Sequence, residues 1–179
     1  MKTKIETLAM LGALLCAAAC ATPAPNPADA GKTVTVTFSD PEKFTDVKRS
    51  DTVFDKDRDD LLSQIKEHLV ESAPKRMAAG QSLAITITDV DMAGDFEPWR
   101  GPAMHDIRII RDIHPPRIVL SFKLADASGA LVAEGTRRLL DLSFMMRLSP
   151  VSGDDTLRYE KALLDDWLAA EFAAPGKGR

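Results

Sequence analysis

The most restrictive feature of the sequence is the stretch from Ile118 to Leu142. Ile118, Leu120, Phe122 and Leu124 alternate with Val119, Ser121 and Lys123, Asp126-Ala-Ser-Gly129 supplies turn chemistry, and Leu131 to Leu142 forms the returning limb. A period of two on one side of such a turn, with a second strand after it, specifies a β-hairpin with one buried face. A hairpin is marginal alone in water, so other elements must cover that face.

The rest of the chain supplies them. Lys32 to Phe38 alternates β-branched and aromatic residues and predicts a first strand, closed by Ser39-Asp40-Pro41. Asp55 to Gly80 reads as helix: Leu61, Leu62, Ile65 and Leu69 recur at helical spacing, acids crowd its first turn, and Gly80 offers a left-handed stop. Pro74 predicts a break after Ser72 and a short second helix. Leu83, Ile85 and Ile87 alternate as a second strand, and the apolar phase then slips to Val90 and Met92, which predicts a bulge or bend. A loop rich in glycine and proline spans 93–102, and Ile107 to Ile113 predicts a strand ended by Pro115-Pro116. Ser152-Gly-Asp-Asp155 offers N-cap residues for a last helix to about Phe172, with the apolar stripe Leu157, Leu164, Trp167, Leu168 and Phe172. The order β-α-β-β-β-β-α predicts an α+β fold: a mainly antiparallel sheet of four to five strands, with two main helices packed on one face.

The N-terminus reads as an address. Lys2 and Lys4 precede an uncharged apolar run, Leu8 to Cys20, too short for a retained transmembrane helix. Residues 1–21 are therefore expected to be a signal peptide. Ala17-Ala18-Ala19-Cys20 resembles a bacterial lipoprotein box with Cys20 as the lipidated residue, while Ala19-Cys20-Ala21 fits ordinary cleavage to a soluble periplasmic protein. With lipidation, the absence of Asp after Cys20 favours the outer membrane. Both cysteines, Cys16 and Cys20, lie in this region, so the remainder has no disulfide and no thiol for nucleophilic or soft-metal chemistry. Residues 22–31 form a Pro-rich tether, 32–173 a single domain and 174–179 a flexible tail. A net charge of −4 gives no electrostatic footprint for nucleic acid.

Three segments carry a family resemblance: Val-Thr-Phe-Ser-Asp-Pro-Glu-Lys-Phe-Thr-Asp-Val (36–47), Ile-Thr-Asp-Val-Asp-Met-Ala-Gly (87–94) and His-Pro-Pro-Arg-Ile (114–118). Together they resemble an uncharacterised bacterial envelope family, domain of unknown function 3016. The resemblance implies export, often as a lipoprotein, and one small domain. It implies no catalytic residue, ligand or cofactor.

Templates for catalysis fail. Asp55-Lys-Asp-Arg-Asp-Asp60 starts like a calcium loop, but the required Gly and Glu are replaced by Asp60 and Lys66. Ser63-Gln-Ile-Lys66 and Ser72-Ala-Pro-Lys75 spell S-x-x-K without the companion motifs of serine acyl-enzymes. His68 is expected to be solvated, and His105 and His114 to lie too far apart along a strand to share a metal. No cofactor and no metal site is expected.

Trp99 and Arg100 are the candidate binding residues, as aromatic and arginine side chains anchor interfaces well; the competing reading folds Trp99 under its loop as a lid on the core. Arg108, Arg111, Arg117, Arg137, Arg138 and Arg147 either gather on one exposed face for an acidic partner or lipid headgroups, or pair across strands with Asp112, Asp126, Glu134 and Asp141. The leading expectation is a non-enzymatic exported domain, tied to the membrane only through a lipid anchor, that binds an envelope protein or lipid. The alternatives are a small periplasmic hydrolase using Asp89, Asp91, Asp95 and Glu97, or a small-ligand or lipid carrier with a cavity between sheet and helices.

Overall fold

The computed structural model describes residues 31–50, 55–146 and 154–172. The signal, most of the tether, Cys20, Arg147 and the tail lie outside the described residues. Eight elements follow in order: β1 (Thr33–Phe38), α1 (Asp55–Ser72), β2 (Ser82–Asp91), β3 (Asp95–Phe96), β4 (Arg108–Ile109), β5 (Arg117–Ala125), β6 (Leu131–Leu140) and α2 (Arg158–Glu171). The main sheet runs β1-β2-β5-β6, and β3 pairs with β4 in a small second sheet. This is the α+β fold predicted, with a mixed main sheet.

The mixture comes from α1. β1 and β2 pair in parallel, from Thr33↔Ser82 to Phe38↔Ile87, because a helical crossover returns the chain to the same end of the sheet before the next strand starts. The other two ladders, β2–β5 and β5–β6, are antiparallel. α1 buries Leu61, Leu62, Ile65 and Leu69 and gives way at Ser72 to a 3-10 turn, Ala73–Arg76. Pro74 sits in the first turn of that piece, where a missing amide donor costs nothing.

β2 carries the expected bulge. Its register against β5 shifts between Ile87 and Asp89, so Leu83, Ile85 and Ile87 and then Val90 and Met92 are all buried. The predicted strand 107–113 contracts to Arg108–Ile109. Beyond it the chain turns, with His114 N–H bonded to Arg111 O at 3.1 Å. The hairpin forms as predicted, although β6 ends at Leu140, where Asp141 Oδ1 takes the Ser143 N–H at 2.9 Å and bends the chain away. In its turn, Asp126 Oδ1 accepts the N–H groups of Ser128 and Ala130 at 2.8 and 3.1 Å. α2 starts at Arg158, later than the cap sequence suggested; Asp155 caps the preceding turn through Leu157 N–H at 2.8 Å.

Both helices cover one sheet face. Leu157, Leu164, Trp167, Leu168 and Phe172 are all buried against it, and Phe122 meets the rings of Trp167 and Phe172 edge-on at 5.7 and 5.6 Å. Side chains of one continuous cluster pack between the layers. The opposite face is open and polar, with Thr33, Thr35, Thr37 and Lys123 exposed. His68 is not solvated: its Nε2 lies 2.8 Å from Asp165 Oδ1, tying α1 to α2. No helix among the described residues is long and apolar enough to cross a membrane.

Candidate functional site

The end of the sheet where β2 finishes, β5 begins and β6 finishes carries the most elaborate polar structure. Two local features build it. First, the bulge in β2 turns Asp89 and Asp91 to the solvent side while Val90 and Met92 stay in the core. Second, the segment around Asp46 docks alongside β2: Asp46 N–H bonds Val90 O at 3.0 Å and Met92 N–H bonds Asp46 O at 3.1 Å. Asp46 and Asp91 therefore form a parallel bridge.

Two arginines hold these acids. Arg117 Nη2 reaches Asp91 Oδ2 at 3.0 Å, Thr45 Oγ1 at 3.3 Å and Asp89 Oδ2 at 3.6 Å. Asp89 in turn accepts the Thr45 N–H at 2.8 Å and hydroxyl at 2.9 Å. Arg108, only 9% exposed at its side chain, bonds Asp46 Oδ2 at 2.9 Å. Its guanidinium also donates to Gly94 O at 2.8 Å and Lys48 O at 2.9 Å and stacks 4.7 Å from the Phe96 ring centre. Burial pushes the Asp46 carboxyl above its ordinary range despite Arg108. Burial also raises Asp91, with Arg117 opposing and the charges of Asp46 and Asp89 adding to the rise.

The loop after β2 closes the site from below. Gly94 takes φ 77°, donates its N–H to His114 O at 2.9 Å, and approaches Ile109 so closely that a Cβ would stand 2.5 Å from its carbonyl oxygen. Glu160 of α2, 1% exposed, accepts the Ala93 N–H at 2.7 Å. Burial pushes the Glu160 carboxyl up.

The result is an open cleft of about 400 Å³. Asp46, Asp91 and Asp95 with Lys48 and Arg117 give it both signs of charge, His114 lines it, and Ile113 and Leu140 stand on its wall as exposed apolar residues. Such a cleft can grip a ligand bearing charges and apolar groups together. Among the described residues no three His, Cys, Asp or Glu are placed to hold a metal ion.

The sequence-derived candidates divide. Trp99 does not fold under its loop; it is 74% exposed on a 3-10 turn, Pro98–Arg100. Arg100 is committed to Glu97, whose carboxylate is buried and also meets Arg111 Nη1 at 3.0 Å. Neither Trp99 nor Arg100 lines the cleft. Of the four proposed carboxylates, Asp91 and Asp95 line it, Asp89 stands just behind through Arg117, and Glu97 is drawn away by its arginines. The described arginines of the sequence-derived set do not gather on one face. Arg108 is an internal clamp, Arg117 belongs to the cleft, and Arg137 reaches back to Glu171 of α2 at 2.7 Å. Sequence reasoning missed Asp46, Lys48 and Glu160 as site builders. One signal was available for Asp46: it lies in the first of the three segments carrying the family resemblance. Thr45 and Asp46, then Asp91, Met92 and Gly94, then His114, Pro115 and Arg117 all line this cleft, so the three segments converge on it.

Residues 32–170 match the model of a family described as protein of unknown function (DUF3016). No curated protein matches the chain significantly.

Proposed function

We propose that this chain, which belongs to the DUF3016 family, is an exported bacterial envelope protein whose domain binds a polypeptide partner in the cleft without catalysis. The observation that carries the reading is the convergence of residues 45–46, 91–94 and 114–117, distant in sequence, on one cleft of mixed charge with apolar walls. Mixed charge beside exposed aliphatic groups suits a protein segment better than a uniformly charged or apolar ligand. The exposed indole of Trp99 supplies a second contact outside the cleft, on a turn braced by Glu97, Arg100 and Arg111. Export and anchoring rest on the N-terminal sequence: lipidated Cys20 fixes the protein to the outer membrane, and cleavage before Thr22 would leave it soluble in the periplasm.

A photo-crosslinker at Ile113 tests the site in intact cells. The expected result is one discrete adduct with another envelope polypeptide, lost when Lys48 and Asp95 are both replaced by Ala. An adduct pattern indifferent to those changes overturns the reading. For the anchor, Cys20→Ala should abolish palmitate labelling and release the protein from membranes; persistent attachment without label at Cys20 would remove the lipoprotein assignment.

One observation favours a hydrolytic reading. Asp46 and Asp91 sit in the same cleft with carboxyls both raised by burial, and paired acids with raised affinity for protons suit acid–base work. Turnover of ester, glycoside or peptide substrates that Asp91→Asn abolishes would replace binding by catalysis.

A further inference from the structure

We propose that β6 pairs antiparallel with β6 of a second copy of this chain, joining two main sheets into one across a two-fold axis at Thr136. Among the described residues β6 is the last strand of its sheet and runs ten residues, Leu131–Leu140, without proline or lysine; its register against β5 shifts only at the start, around Val132. Edge strands usually carry such guards, because a row of unpaired N–H and C=O groups invites another strand.

The orientation of those groups follows from the ladders. Thr33 N–H bonds Gln81 O and Ser39 N–H bonds Ile87 O, so the odd-numbered residues of β2 before its bulge turn their backbone groups to β1. The even-numbered ones, Ser82, Ala84 and Thr86, face β5 opposite Ala125, Lys123 and Ser121. Alternation across β5 then assigns Leu120, Phe122 and Leu124 to the β6 side, opposite Arg137, Gly135 and Ala133. Glu134, Thr136, Arg138 and Leu140 are left with N–H and C=O groups directed outward; in a single copy Arg137 Nη1 donates to the Thr136 carbonyl at 3.0 Å, a contact that pairing at the axis has to share or displace.

A two-fold axis at Thr136 brings these residues into a self-complementary set. Each Thr136 faces its copy. Each Glu134 faces an Arg138, giving two ion pairs, where a single copy offers Glu134 only a loose exposed contact with Lys123 at 3.7 Å. At the ends, Leu140 of each copy comes opposite Val132, and both are exposed in one copy. On the inner face Arg137 folds back over Gly135 of its own strand, its Nη1 2.6 Å from where a Cβ would stand, so Gly135 accommodates that guanidinium within each copy. Arg137 is the one inward charge that would oppose pairing, and Glu171 already neutralises it at 2.7 and 2.8 Å within its own subunit. The layers also match: strands about 4.8 Å apart and helices about 10 Å apart put two helices over four strands, so α2 and its copy can lie side by side.

Thr136→Cys tests the axis directly. Directly paired residues of this kind have Cα atoms about 5.5 Å apart, within the span of a disulfide. The variant is expressed from the full-length sequence and oxidised in membranes or extracts, with the unsubstituted protein controlling for Cys16 and Cys20 and Thr35→Cys for exposure alone. The expected product is a disulfide-linked homodimer with Thr136→Cys only. Adding Glu134→Arg should lower its yield about tenfold, and adding Arg138→Glu as well should restore it. Trapping no greater than with Thr35→Cys, trapping of a different protein, or no restoration by the charge swap overturns the proposal.

Discussion

Arg108 is the residue on which the cleft most depends. One guanidinium holds the Asp46 carboxylate, two backbone carbonyls from separate loops and the face of Phe96. Replacing it with Ala leaves a buried carboxylate and two carbonyls without their donor, and breaking a buried pair in this way costs about 3–5 kcal/mol. Urea unfolding of Arg108→Ala should show that loss. Arg108→Lys should recover little of it, because an ammonium cannot span three acceptors in one plane. Trp99 is the opposite case. It touches solvent over most of its surface, so Trp99→Ala should leave stability within about 0.5 kcal/mol of the parent while weakening partner capture. A large loss of stability would mean that the indole supports the loop after all.

At the scale of elements, what the sequence disclosed depended on whether the signal was local. The phase slip from Ile87 to Val90 marked the bulge because burial leaves its imprint on one strand, and Asp126 with Gly129 marked the hairpin because turn chemistry is contained in four residues. The parallel partner of β1 was hidden: alternation within Thr33–Phe38 says that one face is buried, and says nothing of which strand lies beside it. Ile107 to Ile113 looked like a strand by composition, yet the turn bonded between Arg111 and His114 ends it. His68 looked solvated because its neighbours on α1 are polar, and only tertiary packing brings Asp165 to it. That contact joins the two helices independently of the sheet. A double-mutant cycle between His68→Ala and Asp165→Ala should give a coupling of about 1 kcal/mol in urea unfolding; additivity of the two losses would show that the hydrogen bond contributes nothing to the helix layer. The site was legible in the same uneven way: Asp91 and Asp95 could be chosen from their clustering, whereas Asp46 joins them only through backbone pairing across 45 residues of chain.

For the molecule as a whole, the cleft and the helix layer share one protonation balance. Glu160 projects from α2 into the interior and fastens Ala93 beneath the cleft, and its second carboxylate oxygen is buried without a partner. Burial raises Glu160, Asp46 and Asp91. A carboxyl raised in the folded state takes up protons more readily there than in the unfolded chain. Its contribution is therefore fully present below the unfolded values, 3.8 for Asp and 4.5 for Glu, and is lost as pH rises through the folded value. Asp155 works in the other direction: burial raises it, but Lys161 and the Leu157 N–H outweigh that and lower it, so its contribution is lost as pH falls. Above the ordinary carboxyl range the raised acids govern, and the melting temperature should decline as the pH rises from that range through their folded values. Glu160→Gln keeps an acceptor for the Ala93 N–H and removes the buried charge. Its melting temperature should exceed that of the parent at the alkaline end, with the difference shrinking toward acid, where the parent carboxyl is already protonated. A difference that is constant with pH would show that Glu160 is not the group linking α2 and the floor of the cleft to the proton.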